Sequence, residues 1–165
     1  MAKYITQTGG QLTEVAAATA GGAPDAGKIP ELDGSGRLAS GMMPTGIGAD
    51  TAVLAASEAL AAGDLVNVWN DAGTAKVRKA DAATNKPAHG FVLAAFATAA
   101  NATVYFEGQN AQQTGMTAGV VFLSATAGRA TSTVPTTAGH IVQSVGFALS
   151  ATSMNFEPGA PITLA

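Results

Sequence analysis

The residues of this chain that could do chemistry are few, and they are scattered. His89 and His140 each stand beside a glycine at the start of an apolar run, in "AHGFVL" and "AGHIVQS". A general base or a metal site needs convergent partners, and neither histidine has a carboxylate or second histidine at ligand spacing. Both read as turn or rim residues. "GSGRLA" (Gly34 to Ala39) matches the outline of a dinucleotide fingerprint. That pattern works only between a strand and a helix, where glycines let amides reach a pyrophosphate. Here Pro30 and Pro44 flank it instead. Glu31 and Asp33 form a carboxylate pair in a segment with no pocket, and they read as solvated loop charges. Lys76, Arg78 and Lys79 alternate with Val77 and precede Asp81, the pattern of a strand's solvent face. There is no cysteine, hence no disulfide or thiolate site. The expectation is no catalytic centre, no metal and no cofactor.

The composition points the same way. Charged residues make up 12% of 165 residues, about half the usual share, against 47% hydrophobic. The net charge is −3 and the pI about 5.2. Neither favours binding to nucleic acid or an anionic membrane. "MAKYITQTGGQ" lacks the apolar core of a signal peptide, and the longest nearly apolar run, Phe91 to Ala102, falls short of the ~20 residues of a membrane helix. After Gly108 the only charged side chains are Arg129 and Glu157. A freely diffusing monomer keeps more surface charge than this, whereas a subunit inside an assembly needs less. Flat neutral faces between subunits are therefore expected, with Phe106, Val121, Phe147 and Phe156 in the core or interfaces.

Two textures divide the chain. Residues 1–50 are rich in Gly, Ala, Thr and Pro. Gly21, Gly22 and Pro24 break any helix that "LTEVAAATA" starts, and Pro30 and Pro44 favour extended residues before them. This part reads as an extended, irregular N-terminal arm, with disorder in the isolated protein as the alternative. Residues 51–165 carry short β-branched and aromatic runs separated by turn residues. "DLVNVW" and "TAKVRK" flank "NDAG" as a hairpin. "HGFVLAAF" and "ATVYFEG" form a second hairpin candidate. "GVVFLSA", "GHIVQSVGFAL" and "SMNFEP" read as further strands. Intrinsic propensity favours a helix in "ADTAVLAASEALAAGD", but Val53, Leu54 and Leu60 make a poor helical stripe. A strand over Ala52 to Ser57 with a turn at Ala61 to Gly63 fits better. The fold class is all-β: a small antiparallel barrel or sandwich preceded by the arm.

"GKIPELDGSGRLASGMMP" (Gly27 to Pro44) resembles segments of tailed-bacteriophage virion proteins, both fibres and head-decoration proteins. "AAGDLVNVWNDAGTAKVRKADA", "PAHGFVLAA", "ATVYFEG" and "VQSVGFALS" are similar to head-decoration (capsid cement) proteins. The resemblance implies a trimeric β-rich domain on the outside of a capsid, assembled in the host cytoplasm, whose partner is the major capsid protein. A head-fibre, tail or adsorption component displaying a host-binding surface is the alternative, because fibres share the arm motif. The arm's Ile29, Leu32, Leu38, Met42 and Met43 come too few at a time to fold alone, so they are the expected partner-binding residues. A reversal over Gly34 to Gly36 would link Leu32 to Leu38.

Overall fold

The computed structural model describes residues 2–43 and 49–165, so Pro44 lies outside the described residues. The chain divides into two compact units, Met1–Gly48 and Ala49–Ala165.

The first unit begins with a hairpin that the reading of the sequence did not assign. Strands β1 (Lys3–Thr8) and β2 (Gln11–Ala16) pair antiparallel from Lys3 opposite Ala16 to Thr8 opposite Gln11. Gly9 and Gly10, at φ 60° and 84°, supply the two left-handed residues of a tight primed turn. Tyr4 and Val15 lie opposite each other on one face and are half-buried. The chain then returns, and Pro30 forms a parallel bridge with Ala18. The Ala18 amide donates to the Ile29 carbonyl at 2.9 Å and the Glu31 amide to the Ala18 carbonyl at 2.8 Å. The expected reversal follows. The Asp33 carboxylate accepts from the Ser35 and Arg37 amides at 2.8 and 2.9 Å, which closes a turn over residues 33–37.

The regular elements of the second unit are all strands. β3 (Thr51–Ala56), β4 (Leu65–Asp71), β5 (Thr74–Lys79), β6 (Gly90–Phe91) and β7 (Asn101–Tyr105) close a barrel in the order β3-β5-β4-β6-β7. The β3–β5 pairing is parallel and the others are antiparallel. Thr51–Ala56 of the segment with helix propensity is strand, and a turn follows at residues 62–63, as the weak helical stripe implied. The hairpin at "NDAG" forms with Asn67 opposite Arg78 and Asp71 opposite Thr74. The second hairpin candidate is reduced to a single pairing, Phe91 with Tyr105.

The remaining strands are β8 (Gly108–Asn110), β9 (Gly119–Leu123), β10 (Ala130–Thr131), β11 (Ile141–Val142), β12 (Ser144–Ala148), β13 (Met154–Phe156) and β14 (Ile162–Thr163). Five of them form a sheet in the order β10-β9-β12-β13-β8, and β11 pairs separately with β14. "GHIVQSVGFAL" is therefore two strands, broken at Gln143.

Two cores follow from strand alternation. Val66, Val77, Ala102 and Val104 fill the barrel, with Phe106 half-buried against them. Leu65, Ala80 and Phe91 project from the barrel's outside onto Val121, Leu123, Val145, Met154 and Phe156 of the sheet. The Phe91 ring stacks on Tyr105 and meets Phe156 edge-on, each at 5.5 Å between centroids. Phe91 thus joins barrel to sheet. Of the four aromatic and valine positions expected in core or interface, Val121 and Phe156 are fully buried, whereas Phe147 is 42% exposed.

Buried amides act as joints between loops. Gln143 breaks the strand because its side chain is turned inward. Its Oε1 accepts from the Ala88 amide at 2.7 Å, and its Nε2 donates to the carbonyls of Ala88 at 2.9 Å and Gly159 at 3.0 Å. Gln113 does the same between Gly63, Gly128 and Ala130. Gln143→Leu keeps the volume and strands two buried backbone groups, the amide and carbonyl of Ala88. Each unpaired group costs about 1–3 kcal/mol, so a loss of roughly 2 kcal/mol or more is expected in chemical denaturation. A midpoint unchanged from the native chain's would contradict this.

Candidate functional site

The side chains with chemical potential are occupied by structural work. His89 Nδ1 accepts from the amide of Val68, midway along the barrel strand β4, at 3.1 Å. His140 serves through its backbone, donating to Thr137 and accepting from Leu164. The amides of "GSGRLA" that a phosphate would need are taken by the Asp33 carboxylate, so this loop is no anion cradle. Glu31 Oε1 accepts from the Ala2 amide at 2.9 Å. In the basic cluster, Lys76 pairs with Asp71 at 2.6 Å and Lys79 lies 3.6 Å from the buried Asp64. Arg78 sits 4.7 Å above the Trp69 ring and donates from Nε to Asn67. Among the described residues, no group of three or more His, Asp or Glu side chains is placed to hold a metal ion. No helix among them is long and apolar enough to cross a membrane.

What the molecule does present is apolar surface. In the first unit Ile29, Leu32, Leu38 and Met43 are exposed, while Met42 is half-buried. The turn over residues 33–37 explains two of them. It holds Leu32 and Leu38 on either side of a reversal whose interior is filled by the Asp33 carboxylate and backbone, leaving no room to bury either leucine. The hairpin adds two residues that sequence reasoning missed. Ile5 lies opposite Glu14 and Leu12 opposite Gln7, so both side chains share one face, and they are 69% and 75% exposed. The signal was present in "KYITQTGGQLTEVA": alternation on both sides of a Gly-Gly pair. Lys3 and Glu14 form an ion pair at the rim of that face. A two-stranded hairpin is marginal on its own, and the usual remedy is a further strand or an apolar partner.

The second apolar surface is the outer face of the five-stranded sheet. Val120 and Phe147 are directly opposite each other on β9 and β12, and both are exposed. Asn155 and Gln109 continue that row across β13 and β8. No strand of this sheet contains a charged residue.

A concavity of about 400 Å³ lies at one end of the sheet, lined by Ala49, Glu107, Gly108, Asn155, Phe156 and Glu157. Another of about 350 Å³ lies at the β4–β5 tip, lined by Val68, Trp69, Asn70, Gly73 and Ala75. Neither contains a nucleophile paired with a base.

Comparison of the chain with protein-family models, with curated proteins and with solved structures finds no match.

Proposed function

We propose that this chain is a structural virion protein, a decoration (cement) protein that binds the outer surface of a tailed-bacteriophage capsid as a homotrimer and stabilises the head. The observation that carries the reading is the apolar surface of the first unit. Ile5, Leu12, Ile29, Leu32, Leu38 and Met43 are all exposed on fewer than fifty residues. Scattered single hydrophobes are ordinary, but this density on so small a unit is the mark of a docking element.

The chemistry fits a scaffold. The arm docks on the major capsid protein, burying leucine and methionine side chains and adding backbone hydrogen bonds where an edge strand is offered. Three arms on one trimer reinforce one another, because each bound arm raises the effective concentration of the next. Such a protein resists internal pressure by adding contacts between capsid subunits and needs no reaction.

The test is location and binding. Purified protein is mixed with capsids that lack outer-surface proteins, and virions are labelled with antibody against the chain. Expected are co-sedimentation with the capsids and label distributed over the whole head. Label confined to a tail or a single vertex would overturn the reading in favour of a fibre or adsorption component.

A further inference from the structure

The last third of the chain keeps almost no charge, and where it keeps charge is informative. Arg129 and Glu157 are the only charged side chains after Gly108. Arg129 immediately precedes β10, one edge of the five-stranded sheet. Glu157 immediately follows β13, and Glu107 immediately precedes β8, the other edge.

These three groups also lie at the same end of the sheet. Arg129 is level with Ser124, whose amide donates to its carbonyl at 2.9 Å. The neighbouring Leu123 amide donates to the Gln143 carbonyl, and Phe122 lies opposite Ser144. On the far side the Glu157 amide donates to the Val145 carbonyl at 3.1 Å. Phe156 opposite Gly108 then places Glu107 beside Glu157. Alternation assigns Arg129 and Glu157 to the outer face, since their neighbours Ala130 and Phe156 are buried.

None of the three has an ionic partner among the described residues. Arg129 is separated from Glu157 by three strand spacings, about 14 Å at the usual spacing, too far to pair within one chain. On the two central strands, further toward the other end of the sheet, stands the exposed Val120 and Phe147 pair. Among the described residues, neither β10 nor β8 has a second strand beside it in this sheet.

We infer that this sheet is a head-to-tail contact between copies of the chain, with the β10 edge and Arg129 of one copy against the β8–β13 edge and Glu107 and Glu157 of the next. The occupant is a second copy because the surface is complementary to itself: one sign at one edge, the opposite sign at the other, and uncharged strands between. A rotation about an axis along the strands preserves height along that axis. Groups at the same end of opposite edges are therefore the groups that meet, and such contacts close into a ring. A two-fold pairing of either edge with itself instead brings like charges to that edge. That the ring has three members rests on the function proposed above; the contact itself rests on the sheet.

The experiment uses the full-length chain without capsids, so its result is independent of capsid binding. Mass is followed by sedimentation velocity over micromolar concentrations. Arg129→Glu alone and Glu157→Arg alone are each expected to weaken self-association by about tenfold or more, and the two together to restore it to within about threefold. Each variant's fold is checked by circular dichroism, and Glu157, being exposed, supplies the variant least dependent on folding. Three results would overturn the contact. One is a native chain that stays monomeric throughout. Another is single reversals that leave its mass unchanged. The third is a double reversal no better than the singles.

Discussion

Gly146→Ala is expected to be the most destabilising single methyl group that can be added to this protein, lowering the melting midpoint by about 15 °C. Val145 is an extra residue on β12: Ser144 lies opposite Phe122 and Gly146 opposite Val121. This bulge carries Gly146 at φ 122°, a conformation that side chains rarely adopt. It also presses the backbone onto β13. A Cβ there would collide with the Asn155 carbonyl oxygen and lie 2.9 Å from the Glu157 amide. Backbone atoms held in a ladder cannot move aside cheaply. Backbone strain of about 1–3 kcal/mol therefore adds to a clash. Together they approach the 4 kcal/mol that marks the upper tail of point mutations, and each kcal/mol moves the midpoint of a domain this size by roughly 4 °C. Gly139→Ala separates the two causes, because Gly139 has φ 81° but nothing within 4 Å of an added Cβ. It should cost about a quarter as much. Equal losses at the two positions would show that the clash contributes nothing.

Leu32→Asp combined with Leu38→Asp is expected to reduce binding to bare capsids by at least about a hundredfold while leaving the melting curve unchanged. Both leucines are exposed, at 56% and 43%, so neither substitution removes core packing. If docking buries them, each contributes up to roughly 1.5–3 kcal/mol, and a carboxylate in the same contact adds a desolvation cost. In the proposed trimer the loss recurs at each arm and compounds through the linked sites. Co-sedimentation across a dilution series measures it. Retained binding with both aspartates in place would remove these leucines from the interface and leave the segment a tether.

The parts of this fold legible in the sequence are those whose cause is local. The β4–β5 hairpin is written in alternation around Asn70 to Gly73, and the strand at Thr51–Ala56 in a stripe too poor for a helix. The N-terminal hairpin is equally local, yet the abundance of glycine and alanine around it makes the whole segment read as unstructured. The order β10-β9-β12-β13-β8 is different in kind. It places β8 beside a strand nearly fifty residues later, and no periodicity reports such a pairing. Gln143 and Gln113 were illegible for the same reason: a glutamine in a polar-looking stretch gives no sign that its partners are buried carbonyls far along the chain. Ile29, Leu32, Leu38 and Met43 were legible as apolar residues with nothing nearby to cover them, whereas Ile5 and Leu12 became visible only with the hairpin. The edge charges of the sheet became meaningful only when the topology put them on opposite sides at one end.

That interleaved sheet also dictates an order of events during synthesis. The five barrel strands are contiguous in the chain, so they can associate as soon as Tyr105 has been made. β8 follows at once but has no strand to pair with until Met154–Phe156 emerge from the ribosome. Until then the outward faces of Leu65 and Phe91 lack the Met154 and Phe156 side chains that cover them. A nascent chain cut short anywhere between residues 110 and 153 therefore ends with a bare sheet edge and a half-made core. Those are features that favour aggregation, and they leave such fragments to the quality-control proteases of the cell. Only a chain translated past Phe156 has that edge paired and that core covered.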